Sequence, residues 1–240
     1  MTLIVALKGK DGIVVASDSR GTFGDPRGVT AQNDTIKKVH LVKNVAVLMA
    51  GSEQANIIIE EAAREVEQVN SSGVTDIMTK IREVGRRKFS EWYQGFPFFP
   101  LPQQNPGFVR PSIQLVIAGY DVDRSGTQGA VPRMYSMTSN YDFAPNLHDF
   151  GFAIGGVGQY ALYLLNRLYS PDMTTTSLKH LATYVVTETA AQDGKVGGPV
   201  QLGVVTPTTA TMLAKDDIDK IIVENENKSK ELKNLFRNIR

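Results

Sequence analysis

The chain contains no cysteine. This absence excludes structural disulfides, thiolate nucleophiles and cysteine-ligated metal sites together. Cysteine usage therefore gives no indication of the compartment in which the protein works.

An excess of charge is also missing, because the formal net charge is only +1. Without a strong field or an extended basic patch, neither nucleic acid nor an anionic membrane is an expected partner. No apolar run approaches the length of a membrane span, and the first residues lack the charged segment, apolar core and cleavage site of a secretory signal. We therefore expect a cytoplasmic protein.

Two segments resemble ligand sites but lack an essential feature. The segment DVDRSG at 121–126 begins like a calcium-binding loop, but its twelfth position is Pro132, which has no side-chain oxygen to offer. The glycine cluster at 155–158 lacks the Lys-Ser/Thr of a phosphate loop and the spacing of a dinucleotide fingerprint. We therefore expect neither a metal nor a cofactor.

The composition is that of an ordinary globular protein, with 42% hydrophobic and 21% charged residues. This chain length can bury a large core, so we predict one domain over residues 1–240, with a charged helical tail at 215–240. Apolar runs and helical periodicity predict strands, two helices, strands, two helices, strands and a tail helix. Hairpins in series and paired helices favour the α+β class, as a four-layer α-β-β-α sandwich.

Individual segments follow from the same patterns. Helical spacing of apolar residues predicts helices over 55–69, 74–92, 161–168, 178–189 and 218–240. Strands are predicted at 2–8, 13–17, 35–42, 45–49, 112–119, 133–137, 200–205 and 209–214, with another ending at 154. Ser52 is a candidate N-cap, residues 21–28 are predicted to be a loop, and the proline-rich connection at 95–111 is predicted to face a partner or cover a site.

The first strand begins directly after Met1, with Thr2. Removal of Met1, which the small side chain of Thr2 permits, would place a free amine and a hydroxyl on one residue. A threonine hydroxyl is a weak nucleophile at neutral pH, but an α-amino group titrates at about 8 and can activate it. Threonine also suits any strand, so the hypothesis of an N-terminal-threonine hydrolase depends on the residues around Thr2.

The first two strands predict a hairpin that turns near residues 10–11. Counting back equally from this turn places Thr2 opposite Asp18, Ser19 or Arg20. The hairpin therefore brings an acidic side chain close to the start of the chain.

Several short motifs occur in a specific order: Thr2, ASDSR at 16–20, IKKV at 36–39, MAG at 49–51 and QD at 192–193. In this order and spacing, the chain resembles a proteasome β-type subunit or its bacterial relatives over nearly its whole length. The resemblance implies that Thr2 is the nucleophile, Lys38 the essential lysine and Asp18 the acid that partners this lysine. It also implies that the N–H of Gly51 faces the oxyanion and that Asp193 is the acid near the terminal amine.

Physical chemistry supports these roles independently. A cationic Lys38 beside Thr2 would stabilise developing negative charge on the hydroxyl oxygen, and Asp18 would keep this ammonium charged. A glycine at Gly51 allows the substrate to approach the backbone, and the following helix N-terminus favours an oxyanion. Met49, on the same strand face as Gly51, is a candidate for lining an apolar substrate pocket.

The sequence departs from the family pattern at two positions. Active β-type subunits usually carry a serine in the glycine cluster and another shortly after the acid matched by Asp193. This chain has Gly156 and Val196 at those places. We therefore expect an altered proton relay near the amine and slow or restricted activity.

The start of the sequence also carries expectations. The family's α-type subunits have an additional helix before the first strand, and this chain has no room for one, which favours a catalytic over a gating role. We also expect ordinary removal of Met1 to take the place of self-processing of a propeptide.

These features predict a threonine peptidase that cleaves a peptide or unfolded protein through an acyl-enzyme on Thr2. The resemblance implies a homo-oligomeric ring or related assembly and allows an unfoldase partner. Three alternatives stay open. The same acyl-enzyme could transfer to an amine in a peptide ligase, the protein could be a scaffold subunit without chemistry, which Gly156 and Val196 favour, or it could be an amidase acting on small amides.

Overall fold

The computed structural model describes residues 2–24, 30–69, 73–94, 110–121 and 129–237. Most of the expected connection at 95–111 and of the turn at 121–128 lies outside these ranges. The strands are β1 Leu3–Lys8, β2 Ile13–Ser17, β3 Gly21–Gly24, β4 Thr30–Asn33, β5 Val39–Val42, β6 Val45–Gly51, β7 Ile113–Asp121, β8 Val131–Thr138, β9 Asn146–Leu147, β10 Phe152–Gly156, β11 Gln201–Val205 and β12 Ala210–Met212. The helices are α1 Ala55–Gln68, α2 Val74–Trp92, α3 Gln159–Leu168, α4 Thr175–Gln192 and α5 Lys215–Arg237.

The strands form two five-stranded sheets and one short ribbon. The order is β10-β1-β2-β11-β12 in the first sheet and β5-β6-β7-β8-β9 in the second, and β3 pairs with β4. The pairs within the sheets are antiparallel. This arrangement confirms the series of hairpins that the sequence predicts.

Alternation along the strands builds the layers, because successive side chains of a strand point to opposite faces. In β1, Ile4 and Ala6 pack between the two sheets, whereas Leu3, Val5 and Leu7 pack with apolar residues of α3, α4 and α5. The helices α1 and α2 cover the outer face of the second sheet. The four-layer α-β-β-α sandwich is therefore confirmed.

The region after β2 differs from the sequence prediction. Residues 21–24 form β3, which pairs with β4, in part of the segment predicted to be a loop. The fifth strand begins at Val39 rather than near Thr35, because the Asn33 side chain accepts hydrogen bonds from both the N–H and the hydroxyl of Thr35 at 2.9 and 2.7 Å. These local bonds compete with extended pairing.

Two helices also begin or pack differently from expectation. The N-cap of α1 is Gln54 rather than Ser52, and its side chain makes no capping bond. The tail helix α5 is not simply a solvated face, because Ile218 and Ile221 are buried in the core that the first sheet forms with α3 and α4. Within the described ranges, no helix is both long and apolar enough to cross a bilayer.

Candidate active site

The β1–β2 hairpin places Thr2 beside Asp18. Ile4 pairs with Ser17, and the Leu3 N–H donates to Oδ1 of Asp18 at 3.0 Å. Thr2 directly precedes this point and is only 7% exposed. Its position lies within the range that the sequence count from the turn predicts.

A buried ion pair lies next to this strand end. The Lys38 Nζ donates to Oδ1 of Asp18 at 2.8 Å and to the carbonyl of Arg20 at 2.7 Å. Lys38 is 2% exposed and Asp18 is fully buried. The second carboxylate oxygen of Asp18 accepts from the N–H groups of Arg20 and Gly197, both at 3.1 Å. The carboxylate is thus fully hydrogen-bonded, as a buried charge must be.

Burial changes the acid-base behaviour of Lys38. Removal from water lowers the pKa of the Lys38 ammonium, and this effect outweighs the opposing attraction of Asp18. Asp18 acts in the expected direction, since its negative charge raises the pKa of Lys38 and favours the ammonium, but it offsets only part of the effect of burial. The lysine releases its proton more readily than an exposed lysine does.

The backbone of Lys38 is fixed from another strand. The side-chain oxygen of Gln201, at the start of β11, accepts from the N–H groups of Lys38 and Val39 at 3.0 and 3.2 Å. Its amide nitrogen donates to the Ile36 carbonyl at 2.7 Å and to the Ser19 hydroxyl at 3.1 Å. Gln201 therefore joins the segment that carries Lys38 to the segment that follows Asp18.

An ion pair closes the outer side of this arrangement. The Arg20 guanidinium makes two hydrogen bonds of 2.8 Å to the Asp34 carboxylate, and a third to the Gly194 carbonyl at 3.1 Å. The guanidinium also lies so close to Gly197 that a Cβ there would approach it within 2.6 Å. Arg20 thus connects the hairpin to the loop after α4.

Four of the expected site residues surround one cavity of 470 Å³. Thr2, Lys38, Met49 and Gly51 line it. The remaining lining residues come from the segment after β2, from Ile36 and from the start of the α1 region: Arg20, Gly21, Thr22, Phe23, Ile36, Ser52 and Glu53. The cavity has room for a side chain of a peptide beside Thr2.

Two glycines next to Thr2 and the cavity have backbone conformations that favour glycine. Gly51 has φ +93°, and a Cβ there would lie 2.2 Å from the Ser112 carbonyl oxygen. Gly156 has φ +81°, and a Cβ there would lie 1.8 Å from the carbonyl oxygen of Thr2. The Val157 N–H donates to this same oxygen at 2.8 Å. A residue with a side chain at 156 is therefore incompatible with this backbone.

The structure does not bring Asp193 into the cavity. Asp193 ends α4, and its carboxylate accepts from the Lys195 N–H at 2.9 Å. Its carbonyl accepts from the N–H of Val196, at 2.9 Å, and the Val196 side chain is buried in the core between the first sheet and its helices. Val196 precedes Gly197, whose N–H binds Asp18. The loop thus contacts the ion pair through its backbone.

Residues that the sequence left without a role therefore support the site. Gln201, Asp34, Gly197 and Gln114, whose side-chain oxygen accepts from the Gly156 N–H at 2.7 Å, were not predicted. All are distant in sequence from the groups they bind, so no local pattern reveals them. The motif ASDSR, which contains Arg20, was the only signal for the outer ion pair.

Comparison with known proteins gives consistent similarities. A family model described as proteasome subunit matches residues 2–205. Proteasome subunit beta 2 of Thermomonospora curvata is 28% identical over 224 residues, covering 89% of this chain and 69% of that protein. Proteasome subunit beta of Mycobacterium avium is 28% identical over 228 residues, covering 91% and 67%.

Solved structures share the fold at lower identity. Anbu, described as an ancestral beta-subunit, from Yersinia bercovieri superposes with a TM-score of 0.74 at 16% identity, covering 99% of this chain and 98% of that one. The Gly-1 mutant of Anbu from Hyphomicrobium sp. strain MC1 gives 0.70 at 18% identity, covering 100% and 98%. Together with the layer order, these likenesses define the fold of an N-terminal-nucleophile hydrolase. The chain belongs to the proteasome subunit family.

Proposed function

We propose that this protein is a threonine peptidase whose nucleophile is the Thr2 hydroxyl, freed by removal of Met1. The observation that carries the proposal is the buried Lys38–Asp18 pair in the wall around Thr2. Lys38 lines the same cavity as Thr2, and its Nζ lies 2.8 Å from Asp18. Burial of an ion pair is costly, so its place beside a threonine at the strand end favours a chemical role.

The reaction follows from these groups. The Thr2 Oγ1 attacks the carbonyl carbon of the scissile peptide bond, and its proton passes to the α-amine of the same residue. The ammonium of Lys38 stabilises the negative charge that develops on the attacking oxygen. The α-ammonium then protonates the leaving amine as the C–N bond breaks, and an ester between Thr2 and the acyl part remains.

The tetrahedral intermediate requires a place for its oxyanion. The backbone at Gly51 borders the cavity, and its positive φ allows the close approach of substrate to the main chain. The helix α1 begins shortly afterwards, so its positive end also favours an anion. Water, activated by the α-amine, then hydrolyses the ester and restores the hydroxyl.

The cavity lining favours apolar substrate residues. Met49, Ile36 and Phe23 contribute apolar surface beside Thr2. An apolar side chain before the cleaved bond would bury its surface there, at about 25 cal/mol per Å² removed from water. We propose peptides or unfolded proteins as the substrate class.

The proposed context is a cytoplasmic homo-oligomeric ring or related assembly. Both sequence relatives are named as proteasome subunits, a term that implies a larger complex for those proteins. An unfoldase partner would unfold protein substrates and pass the unfolded chains to such a ring. The oligomeric state is testable by light scattering on the purified protein.

A second candidate, a scaffold subunit without chemistry, is favoured by Asp193. Its carboxylate binds the Lys195 N–H of its own loop instead of lining the cavity around Thr2. In that case Lys38 and Asp18 would only stabilise the strand end. The two candidates differ in whether Thr2 reacts.

The decisive experiment is intact-mass spectrometry after incubation with a peptide epoxyketone, which joins a threonine hydroxyl and its free amine. We expect loss of Met1 and one adduct on the wild type, and no adduct on Thr2→Ala. Thr2→Ser is the matched control, because it keeps a hydroxyl and should still react. Uniform retention of Met1, or an adduct that persists in Thr2→Ala, would contradict the peptidase. Added amine nucleophiles in the peptide assay would reveal ligation as the alternative outcome.

A further inference from the structure

A second cavity, lined by different residues from the Thr2 cavity, lies along α2. Its volume is 620 Å³, and it shares no lining residue with the Thr2 cavity. Four arginines line it, Arg82, Arg86 and Arg87 from α2 together with Arg110. We name it the arginine cavity. Such a concentration of guanidinium groups at one concave surface attracts anions.

The acidic side chains that line this cavity already have cationic partners. The Asp142 carboxylate binds Arg86 at 2.7 Å, and Glu83 binds Lys80 at 2.7 Å. Arg87 is paired as well, with two glutamates of α1 at 2.7 and 2.6 Å, so neither acid of the lining is left for Arg82. A positive charge in the cavity stays available to a ligand.

Arg82 carries this charge. Its Nε is buried and has no hydrogen-bond partner, and no ion pair to Arg82 occurs among the described residues. A buried donor without an acceptor is costly, and such groups in native proteins call for an explanation. An anionic oxygen in the cavity would supply the missing acceptor.

The remaining surface gives the cavity a partly apolar wall. Phe89 and Phe143 line it, with their rings 5.1 Å apart and nearly perpendicular. Ser90 adds a hydroxyl group that can donate to an anion. Charges attract more strongly beside an apolar wall than in open water, because the local dielectric is lower. The volume also exceeds the need of a single ion and lies within the range of small-molecule sites.

We propose that the arginine cavity binds a small oxyanion, a phosphate-bearing or carboxylate-bearing molecule, with Arg82 as its anchoring cation. The planar guanidinium matches two oxygens of either group, which a lysine cannot do. The proposal is independent of peptidase activity, because no residue of the Thr2 cavity takes part.

Isothermal titration calorimetry tests this proposal on the full chain. Inorganic phosphate and citrate are the two probes, each titrated at constant ionic strength, and their relative affinities separate the phosphate and carboxylate classes. For Arg82→Gln we expect binding about tenfold weaker, the size expected for a lost hydrogen bond to a charged group. Arg167→Gln is the matched control, since Arg167 is an exposed arginine of α3 and its loss removes the same charge.

Two results would overturn the proposal. In the first, neither probe binds the wild type above the level of the calorimetric blank. In the second, Arg82→Gln weakens binding no more than Arg167→Gln does. If Arg82→Gln does not fold, crystals of the wild type soaked in tungstate provide the second measurement. A bound tungstate with an oxygen within hydrogen-bonding distance of the Arg82 Nε supports the site, and tungstate bound only elsewhere contradicts it.

Discussion

Two ion pairs in this protein have nearly the same length, but one is buried and the other lies at the surface. The Lys38–Asp18 pair measures 2.8 Å, and its side chains are 2% and 0% exposed. The Arg87–Glu61 pair between α2 and α1 measures 2.7 Å, and its side chains are 50% and 25% exposed. Distance therefore does not distinguish them. The difference lies in what happens when one partner is removed.

At the surface, water replaces a lost partner, and salt screens the remaining charge. In the interior, the remaining charge has no such replacement, and the cost of its burial stays unbalanced. The structure of the strand end beside Thr2 is therefore stable only when both charges of the interior pair are present. The surface pairs between α1 and α2 contribute little to the choice of structure.

The largest effect is expected for Lys38→Met. This change leaves Asp18 buried without its cation, which costs about 3–5 kcal/mol of unfolding free energy, and it should abolish peptide hydrolysis. Lys215→Met is the control, because Lys215 pairs with Asp219 at the surface and its side chain is 74% exposed. Urea unfolding and a fluorogenic peptide assay measure both variants. Equal stability of the two would show that the interior pair is not special.

The next effect concerns the glycine next to Thr2. Gly156→Ser introduces the family's serine, but its Cβ would lie 1.8 Å from the Thr2 carbonyl oxygen at φ +81°. We expect lower activity and a loss of about 1–3 kcal/mol from backbone strain, with more from the contact. Gly129→Ser is the matched control, since no atom of the described residues lies within 4 Å of its added Cβ.

The outcome distinguishes two explanations of Gly156. If activity falls, the glycine is required by the backbone around Thr2, and the departure from the family is a consequence of packing. An increase in activity would instead show that the missing serine limits the proton relay. Thermal unfolding of both variants separates a change in chemistry from a change in folding.

The third effect tests the support of Lys38. Gln201→Ala removes the acceptor of the Lys38 and Val39 N–H groups. Each partly buried donor left without a partner costs up to about 1–3 kcal/mol of unfolding free energy. We expect a lower kcat with little change in KM, because substrate contacts remain. A pure loss of stability with unchanged kcat would contradict a positioning role.

The sequence predicts the interior of this fold better than its site. The unbroken apolar run of Leu3, Ile4 and Val5 requires a strand with two covered faces, and the short turn after β1 limits the register of the hairpin. These are local constraints. They are sufficient to place Thr2 near Asp18 before any coordinates are known.

The support of the site is not local. The bond from the Lys38 N–H to Gln201 spans 163 residues, and the bond from Gly197 to Asp18 spans 179. No spacing rule connects such positions, because their contact depends on how the strands are ordered in the sheet. Lys38 itself was identified through the resemblance to a family, since adjacent lysines carry no signal of burial. The short strands β3 and β4 were missed for a related reason, as they pair mainly with each other.

The smallest expected effect is a dependence of stability and activity on pH that arises from the buried Lys38–Asp18 pair. Burial lowers the pKa of Lys38 below its usual 10.5, so the folded protein loses this proton at lower pH than the unfolded chain. Between the two pKa values the unfolded chain binds more protons, and the stability contributed by Lys38 therefore rises with pH. Activity should fall over the same window, because the stabilising ammonium is lost, while the α-amine sets the acidic limb near pH 8.

Comparison of the wild type with Lys38→Met isolates the pH-dependent stability that Lys38 contributes, since most other titrating groups are common to both. Urea unfolding at a series of pH values up to 10.5 should show the wild type gaining stability relative to the variant as pH rises. Arg87→Met should leave the pH dependence of stability unchanged. The Arg87 side chain is 50% exposed, so water still solvates its charge. A flat difference between wild type and Lys38→Met would mean that Asp18 fully compensates the burial of the lysine, and the interior and surface pairs would then differ only in what their removal exposes.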